Sequence, residues 1–327
     1  MNKELCWSLQ DLLDAGLKET SLYEYLSTQG LNFIDVGAKD GVVDAVKGLS
    51  SFLNALLFEP NKDEYQKIAN DHPFKSQELF NVGLGAKNQE QNLYITESSM
   101  CCSIFKPNEF NTKRYGLYGY KVKAVESIQL TTLDALNIAS DSSYILKLDA
   151  QGAELDIIRG GQNFIEHNVT AIISEVNFIE SYDNIPLFSE IELALRKLGF
   201  TFVTYTDFMY RSNNKNKSHG LSRERLFHAD ALFIKDPIIN EQKDISQCYQ
   251  LITLYVLYNL YDLALELVDH LELDNIDKHQ LIIFINNCRK KYLQKNIELT
   301  EKNLALLKDE VQNNKQVEYY LNLRSIL

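Results

Sequence analysis

The sequence predicts an α/β protein: a doubly wound, mostly parallel seven-stranded sheet with an all-α C-terminal extension. Three observations carry that expectation. Short apolar runs alternate with helix-compatible stretches through residue 235, the pattern of a parallel sheet with crossover helices. The run from Phe33 to Val36 leads directly into a turn over Gly37 and Gly41, where a strand must give way to a helix. Beyond Gly220 and Pro237, the last glycine and proline, about 90 residues follow with neither helix breaker, so the tail reads as helical.

Residues 1–30 form an amphipathic N-terminal segment carrying Leu5, Leu9, Leu12, Leu13 and Leu17. The sheet domain spans 31–235. Its expected strands are Asn32 to Val36, Ala55 to Glu59, Glu78 to Val82, Tyr144 to Asp149, Ala171 to Val176, Phe200 to Tyr205 and Leu226 to Ile234. Helices are expected at Val42 to Phe52, Lys62 to Asn70, Ala153 to Gly160 and Pro186 to Leu198, the last with Pro186 at its first position and Gly199 after its end. Between Asn88 and Leu130 the pattern loosens: Gln91 to Thr96 is strand-like and Glu97 to Tyr120 loop-like, an insertion of the length used for substrate lids. The tail, 236–327, reads as helices at Ile245 to Leu260, Asp262 to Leu271, Lys278 to Leu293 and Ile297 to Val311. Ile297, Leu304 and Val311 recur every seven residues, which reads first as a packed core face and second as the seam of a homodimer.

Composition excludes several function classes. A net charge of −12 over 327 residues argues against nucleic acid as a partner, because readers of a phosphate backbone present basic surfaces. The cysteines number five and Cys101 adjoins Cys102, which suits reduced thiols rather than a disulfide framework. Residues 1 to 15 mix Lys3, Glu4, Asp11 and Asp14 with leucines, and no later stretch reaches the roughly 18 apolar residues of a membrane span. The expectation is a cytoplasmic protein without a membrane span.

The turn from Asp35 to Gly41 lacks the third glycine of a dinucleotide fingerprint and begins with an acid. An acid at a strand end, with glycine permitting close backbone approach, suits a cationic, phosphate-free nucleoside such as S-adenosylmethionine. Glu59 ends the second strand about 20 residues further on, where such sheets place an acid for the ribose hydroxyls. The Glu59, Pro60, Asn61 sequence also suits a plain helix start.

The densest constellation runs from Lys147 to Glu154. Strand alternation puts Lys147 and Asp149 on one side, and a Lys147 to Glu154 ion pair that locks the turn is an alternative to a catalytic role. Glu175 ends the next strand and should face Asp149. Two such carboxylates can hold a divalent cation, act as base for a hydroxyl, or grip polar substrate groups; Asp149 and Glu175 are the candidate metal ligands. His219 and His228 flank Arg223 and Arg225, and His219 lies in a polar loop from which it could reach a substrate. Tyr115, Tyr118, Tyr205 and Tyr210 are candidate stacking partners for a sugar ring, or core and lid residues. No Cys/His pair has zinc spacing, and there is neither a phosphate-binding P-loop nor a nucleophile elbow.

These motifs, in this order, resemble the FkbM family of S-adenosylmethionine-dependent methyltransferases. The resemblance covers Leu31 to Ile234 and rests on Phe33 to Gly41, Phe58 to Asn61, Val82 to Gly85, Thr132 to Asp134, Leu146 to Glu154 and Ile173 to Val176. It implies a class I methyltransferase-like fold and O-methylation of a saccharide or natural-product hydroxyl. It also implies that Asp35, Gly37 and Ala38 hold the amino-acid end of the cofactor and Glu59 its ribose. Lys39, Gly41, Pro60, Gly83 and Asp149 complete the implied cofactor set. Asp149 and Glu154 would lie beside the methyl group and the acceptor, with Lys147, Glu175 and His219 as further catalytic candidates. Lys39 stands where the family often has asparagine or histidine, and its ammonium is expected to point away or to pair with Asp40.

Two readings follow. The first is an O-methyltransferase acting on a saccharide or glycosylated metabolite of bacterial surface-glycan modification, with a divalent cation as an option. The second is a catalytically degenerate cofactor-binding scaffold whose helical tail recruits a glycan-assembly partner. Nicotinamide chemistry is disfavoured by the missing glycine.

Overall fold

The computed structural model describes residues 5–39, 41–139, 141–213, 224–239 and 244–312, with side chains as far as 306. Two capped helices open the chain. The Ser8 hydroxyl accepts the Asp11 N–H at the start of α1 (Leu9–Asp14), and Thr20 does the same for Tyr23 at the start of α2 (Ser21–Thr28). There follow β1 (Leu31–Val36), α3 (Asp44–Lys47), β2 (Leu53–Phe58), α4 (Lys62–Ile68), β3 (Ser76–Phe80), β4 (Gly83–Leu84) and β5 (Gln89–Thr96). Next are α5 (Glu109–Arg114), β6 (Val122–Thr131), β7 (Tyr144–Leu148), α6 (Glu154–Gly160), α7 (Gln162–Asn168), β8 (Val169–Asn177), α8 (Phe188–Lys197), β9 (Thr201–Arg211) and β10 (Arg225–Ile234). The tail contributes α9 (Ile245–Leu257), α10 (Tyr261–His270) and α11 (Asn275–Gln312).

The seven expected strands are the seven of the main sheet, in the order β3-β2-β1-β7-β8-β10-β9. β10 runs antiparallel to both neighbours, and the remaining pairs are parallel. Chain order reverses between β1 and β7, which leaves a crevice at their carboxyl ends.

Alternation along the strands sends two apolar sets to opposite faces. Ile34, Val36, Leu146, Leu148 and Ile172 share a buried cluster with Ile157, Ile158 and Leu195 from α6 and α8. Leu31, Phe33, Ile145, Ala171 and Ile173 share another with Leu12 and Leu22 from the N-terminal helices and Leu251, Leu254, Leu281 and Phe284 from the tail. Ten of the thirteen residues of α9 are buried, so this helix is covered on nearly all sides. Its one buried amide, Gln250, donates to the Ser143 carbonyl at 2.8 Å.

Several expected elements differ. The helix expected over Val42 to Phe52 is only the four-residue α3 and a 3₁₀ turn at Ser50–Phe52. Gly48 ends α3 where the Trp7 backbone crosses it; a Cβ there would stand 2.0 Å from the Trp7 carbonyl oxygen. Pro186 precedes α8, whose N-cap is Leu187, while Gly199 follows its end at φ +84 as expected. Strands β5 and β6 of the insertion after Asn88 join β4, which precedes it, in a second sheet of order β4-β6-β5, and α7 is a helix beyond those expected. The helices expected at Lys278 to Leu293 and Ile297 to Val311 are one 38-residue helix, α11, because nothing between them breaks it. Ile297 and Leu304 are about half exposed, 53% and 47%, so on this chain they are not a packed core face; the Val311 side chain lies outside the described residues.

Candidate active site

The crevice is organised by one buried ammonium. Asp35 and Lys147 are cross-strand partners on β1 and β7, and both are buried. Lys147 Nζ lies 3.1 Å from Asp35 Oδ1 and 3.5 Å from Asp149 Oδ2, and it donates to the Gly37 carbonyl at 3.2 Å. Burial raises the Asp35 carboxyl to about 6, against the pull of Lys147. Burial by itself would favour a neutral Lys147, but Asp35 and Asp149 outweigh it and hold the ammonium above the usual lysine range. The pair therefore stays ionic at neutral pH.

The turn after β1 is fastened to both neighbouring strands. Gly37 and Ala38 donate to the Phe58 carbonyl at 3.0 and 3.2 Å, and the Asp149 N–H donates to the Val36 carbonyl at 3.1 Å. Gly37 has φ +77, and a Cβ there would stand 2.0 Å from the Asp149 carbonyl oxygen, so any other residue would push the β1 and β7 turns apart.

Glu154 does not pair with Lys147. Its carboxylate folds back under the turn and accepts the Ala150 N–H at 2.8 Å and the Gly152 N–H at 3.0 Å. It is fully buried, and burial raises its carboxyl to about 7. Those backbone donors, rather than an ion pair, lock the turn.

A cavity of about 350 Å³ opens over this frame. Gly37, Lys39, Glu59, Pro60 and Gly83 line one end, and Asp149, Gln151, Glu175 and His228 the other. Residues 98–104 of the insertion, with Leu117 and Tyr120, complete the wall. Asp35, Ala38, Gly41, Lys147 and Glu154 do not line it; Asp35 and Lys147 support it from behind Gly37. Tyr115, Tyr118, Tyr205 and Tyr210 do not line it either, Tyr115 being buried edge-on against Phe227. His219, and Asp40 as the expected partner of Lys39, lie outside the described residues.

Glu59 makes the helix-start contact the sequence allowed and stands at the cavity wall. Oε1 accepts the Asn61 N–H at 2.8 Å, ahead of the Asn61 cap of α4, while the residue borders the cavity. Burial raises its carboxyl to about 7, opposed by that backbone hydrogen bond.

At the other end Gln151 joins the two carboxylates. Its Nε2 donates to Asp149 Oδ1 at 2.8 Å and to Glu175 Oε2 at 3.2 Å. The Tyr182 hydroxyl donates to Gln151 Oε1 at 2.7 Å and shares its one proton with the Cys101 carbonyl at 3.0 Å. Gln151 holds φ +53, a left-handed conformation unusual for a residue with a side chain. Burial, then Asp149, Glu154 and Asp230, push the Glu175 carboxyl well above its usual range. His228 Nδ1 lies 3.5 Å from Glu175 Oε2, and burial lowers the imidazole below its ordinary value. Arg211 borders the same end and donates to the Tyr210 carbonyl at 3.0 Å.

The expectation of Asp149 and Glu175 as metal ligands does not fit this donor set. Both accept from the single Gln151 amide, so a cation between them would displace its N–H group. Among the described residues no group of three or more His, Cys, Asp and Glu side chains is arranged to hold an ion.

The sequence pattern points to neither Gln151 nor Arg211 and gives His228 no role. The sign of a backbone φ cannot be read from residue type. The antiparallel β8 to β10 register that pairs His228 with Asn177, two residues beyond Glu175, has no local signature either.

The chain matches the family model described as the methyltransferase FkbM domain over residues 35–202, just over half of its length. No curated protein matches it. Among solved structures it is similar to a methyltransferase FkbM from Methylobacillus flagellatus KT, at 10% identity and a TM-score of 0.34, covering 67% of this chain and 49% of that one. It is also similar to 1,6-didemethyltoxoflavin-N1-methyltransferase from Burkholderia thailandensis, solved with 1,6-didemethyltoxoflavin and S-adenosylhomocysteine bound. That match has 11% identity and a TM-score of 0.29, over 69% of this chain and 78% of that one. The chain spans about half the length of the first of these structures.

Proposed function

The chain belongs to the FkbM methyltransferase family, and from that premise we propose that it moves a methyl group from S-adenosylmethionine to a hydroxyl of a saccharide or glycosylated metabolite. The observation that carries this reading is the two-ended cavity, with a ribose-type acid at one end and two amide-bridged carboxylates at the other.

The residues fit the cofactor. Gly37 lets the β1 and β7 turns close against each other at the cavity wall, and Glu59 brings a buried carboxylate to the cavity with one oxygen not used by Asn61. Lys39, Pro60 and Gly83 border the same end, while Asp35 and Ala38 set the turn from behind. When bound, the cofactor supplies an electrophilic methyl group on a cationic sulfur. Asp149 brings negative charge to the place where that cation would lie, and Lys147 and Gln151 hold its two oxygens in place. Asp149, Gln151 and Glu175 suit hydroxyl groups of the acceptor, and Tyr120 and Phe227 add aromatic wall.

We place this activity in bacterial surface-glycan modification, with the protein in the cytoplasm. The five cysteines are all free, and no described helix is long and apolar enough to cross a membrane. The exposed Ile297 and Leu304 on α11 support a homodimer through the tail, which Ile297→Asp should dissociate in a sedimentation experiment.

Calorimetric titration with S-adenosylhomocysteine, with NADH as control and with and without magnesium, tests the reading. Micromolar binding of the first ligand, unaffected by magnesium, is expected. No binding would favour the scaffold reading, in which the tail holds a partner.

A further inference from the structure

Resting on the methyl-transfer reading, we propose that His228 is the catalytic residue that accepts the acceptor hydroxyl proton, oriented by Glu175. The imidazole lines the cavity, and its Nδ1 lies 3.5 Å from Glu175 Oε2. That is the outer edge of a hydrogen bond, as is common for catalytic pairs without substrate.

The other candidates at this end are already engaged. Asp149 Oδ1 accepts from Gln151 at 2.8 Å and Oδ2 faces Lys147 at 3.5 Å, so protonating either oxygen would cost a charge-assisted contact. Lys147 is surrounded by Asp35, Asp149 and the Gly37 carbonyl and can only donate. Glu154 is spent on backbone amides beneath the turn. Glu175 accepts from Gln151 and, though it lines the cavity, is the more buried of the two, its side chain 10% exposed against 24% for His228. The ring nitrogen of His228 that faces away from Glu175, Nε2, accepts nothing from the described residues.

The neighbours of the ring are consistent with one tautomer. Glu175 and Asn177 face it from β8, Met209 pairs with it across β9, and Asp207 and Arg211 lie on that same strand. Asp149 and Gln151 approach from the turn after β7. Among the described residues Glu175 is the group placed within 3.5 Å of Nδ1, so with Glu175 ionised the proton of the neutral ring belongs on Nδ1 and the lone pair on Nε2. In the transfer, the acceptor O–H bond breaks and an N–H bond forms at Nε2. The oxygen pair makes the new O–C bond, and the pair of the old S–C bond stays on sulfur. One positive charge passes from sulfur to the imidazolium, beside Glu175 and Asp149.

The test has one arm that needs no acceptor. The six histidines can be labelled with ¹⁵N, and His228→Gln assigns the resonance of His228. In the parent protein at pH 8 the neutral ring should carry its proton on Nδ1; a ring protonated on Nε2 would overturn the proposal. The second arm measures transfer of labelled methyl from S-adenosylmethionine to a panel of mono- and disaccharides. His228→Gln should lower kcat by about 100-fold or more, the range for a positioned base, with S-adenosylhomocysteine affinity kept within about threefold. A loss below about tenfold would sink the assignment even if transfer itself is confirmed. Absence of S-adenosylhomocysteine binding to the parent protein would instead remove the methyltransferase reading, and this proposal with it.

Discussion

Asp35 and Glu175 are buried carboxylates on the same face of the sheet, one at the end of β1 and the other near the end of β8. Their surroundings are opposite. Asp35 has an ammonium 3.1 Å away and does not line the cavity. Among the described residues Glu175 has no cation at that distance; its partners are an amide shared with a second carboxylate and an imidazole at 3.5 Å. The Asp35 end is thus a charge-balanced frame, whereas the Glu175 end holds carboxylates crowded together beside a cavity. Compensated buried charge sets geometry, and uncompensated buried charge is what a site keeps for chemistry.

The sharpest way to break this comparison is Lys147→Met. It leaves Asp35 buried without its counter-charge and should cost about 3–5 kcal/mol in urea unfolding at pH 7.5. Asp35→Asn in the same chain should restore most of that loss. An unaltered midpoint for the single variant would mean that the pair frames nothing.

Glu59→Gln should act on the ligand more than on the fold. Loss of the carboxylate should weaken S-adenosylhomocysteine by roughly 1.5–3 kcal/mol, about 10- to 100-fold in calorimetry. The ligand-free variant should be more stable than the parent at pH 8. Glu59 rises to about 7 on folding, so the folded chain binds the extra proton between the ordinary carboxyl value and 7, and parent stability falls as pH rises through that window. Glutamine abolishes that loss, and equal stability at pH 8 would contradict the burial argument.

Glu175→Gln should likewise stabilise the protein at pH 8 and have no effect near pH 4, because its carboxyl also rises on folding. Destabilisation at pH 8 would show that Glu175 is compensated after all. The smallest effect belongs to Gln151→Gly, which relieves the φ +53 conformation while losing the amide bridge. Its unfolding free energy should move by less than about 1 kcal/mol, with S-adenosylhomocysteine affinity nearly unchanged. Collapse of that affinity would erase the division between the two ends.

The residues at the carboxyl ends of β1, β2 and β7 were legible in the sequence because their signals are local. Gly37 follows β1 directly, Glu59 follows β2, and Asp149 follows β7, so strand ends and glycine turns locate all three. Glu154 was legible as a member of the turn but not in its role, because hydrogen bonds to Ala150 and Gly152 leave the same sequence trace as an ion pair. The surroundings of Glu175 were much less legible. His228 and Arg211 reach Glu175 through the β8 to β10 to β9 pairing, and strand order is a long-range property; Glu175 itself was legible as a strand end facing Asp149.

By itself the sequence determined the seven strands, the helical tail and the acid-glycine turns, because apolar period, glycine and helix breakers act over a few residues. It was also sufficient for the family. Tertiary structure alone decided that α9 and the N-terminal helices share a core with one face of the sheet, that Lys147 pairs with Asp35 rather than Glu154, and that His228 stands beside Glu175. Those outcomes depend on which strands lie side by side and which charges are removed from water together, and both are settled only when the whole chain closes on its core.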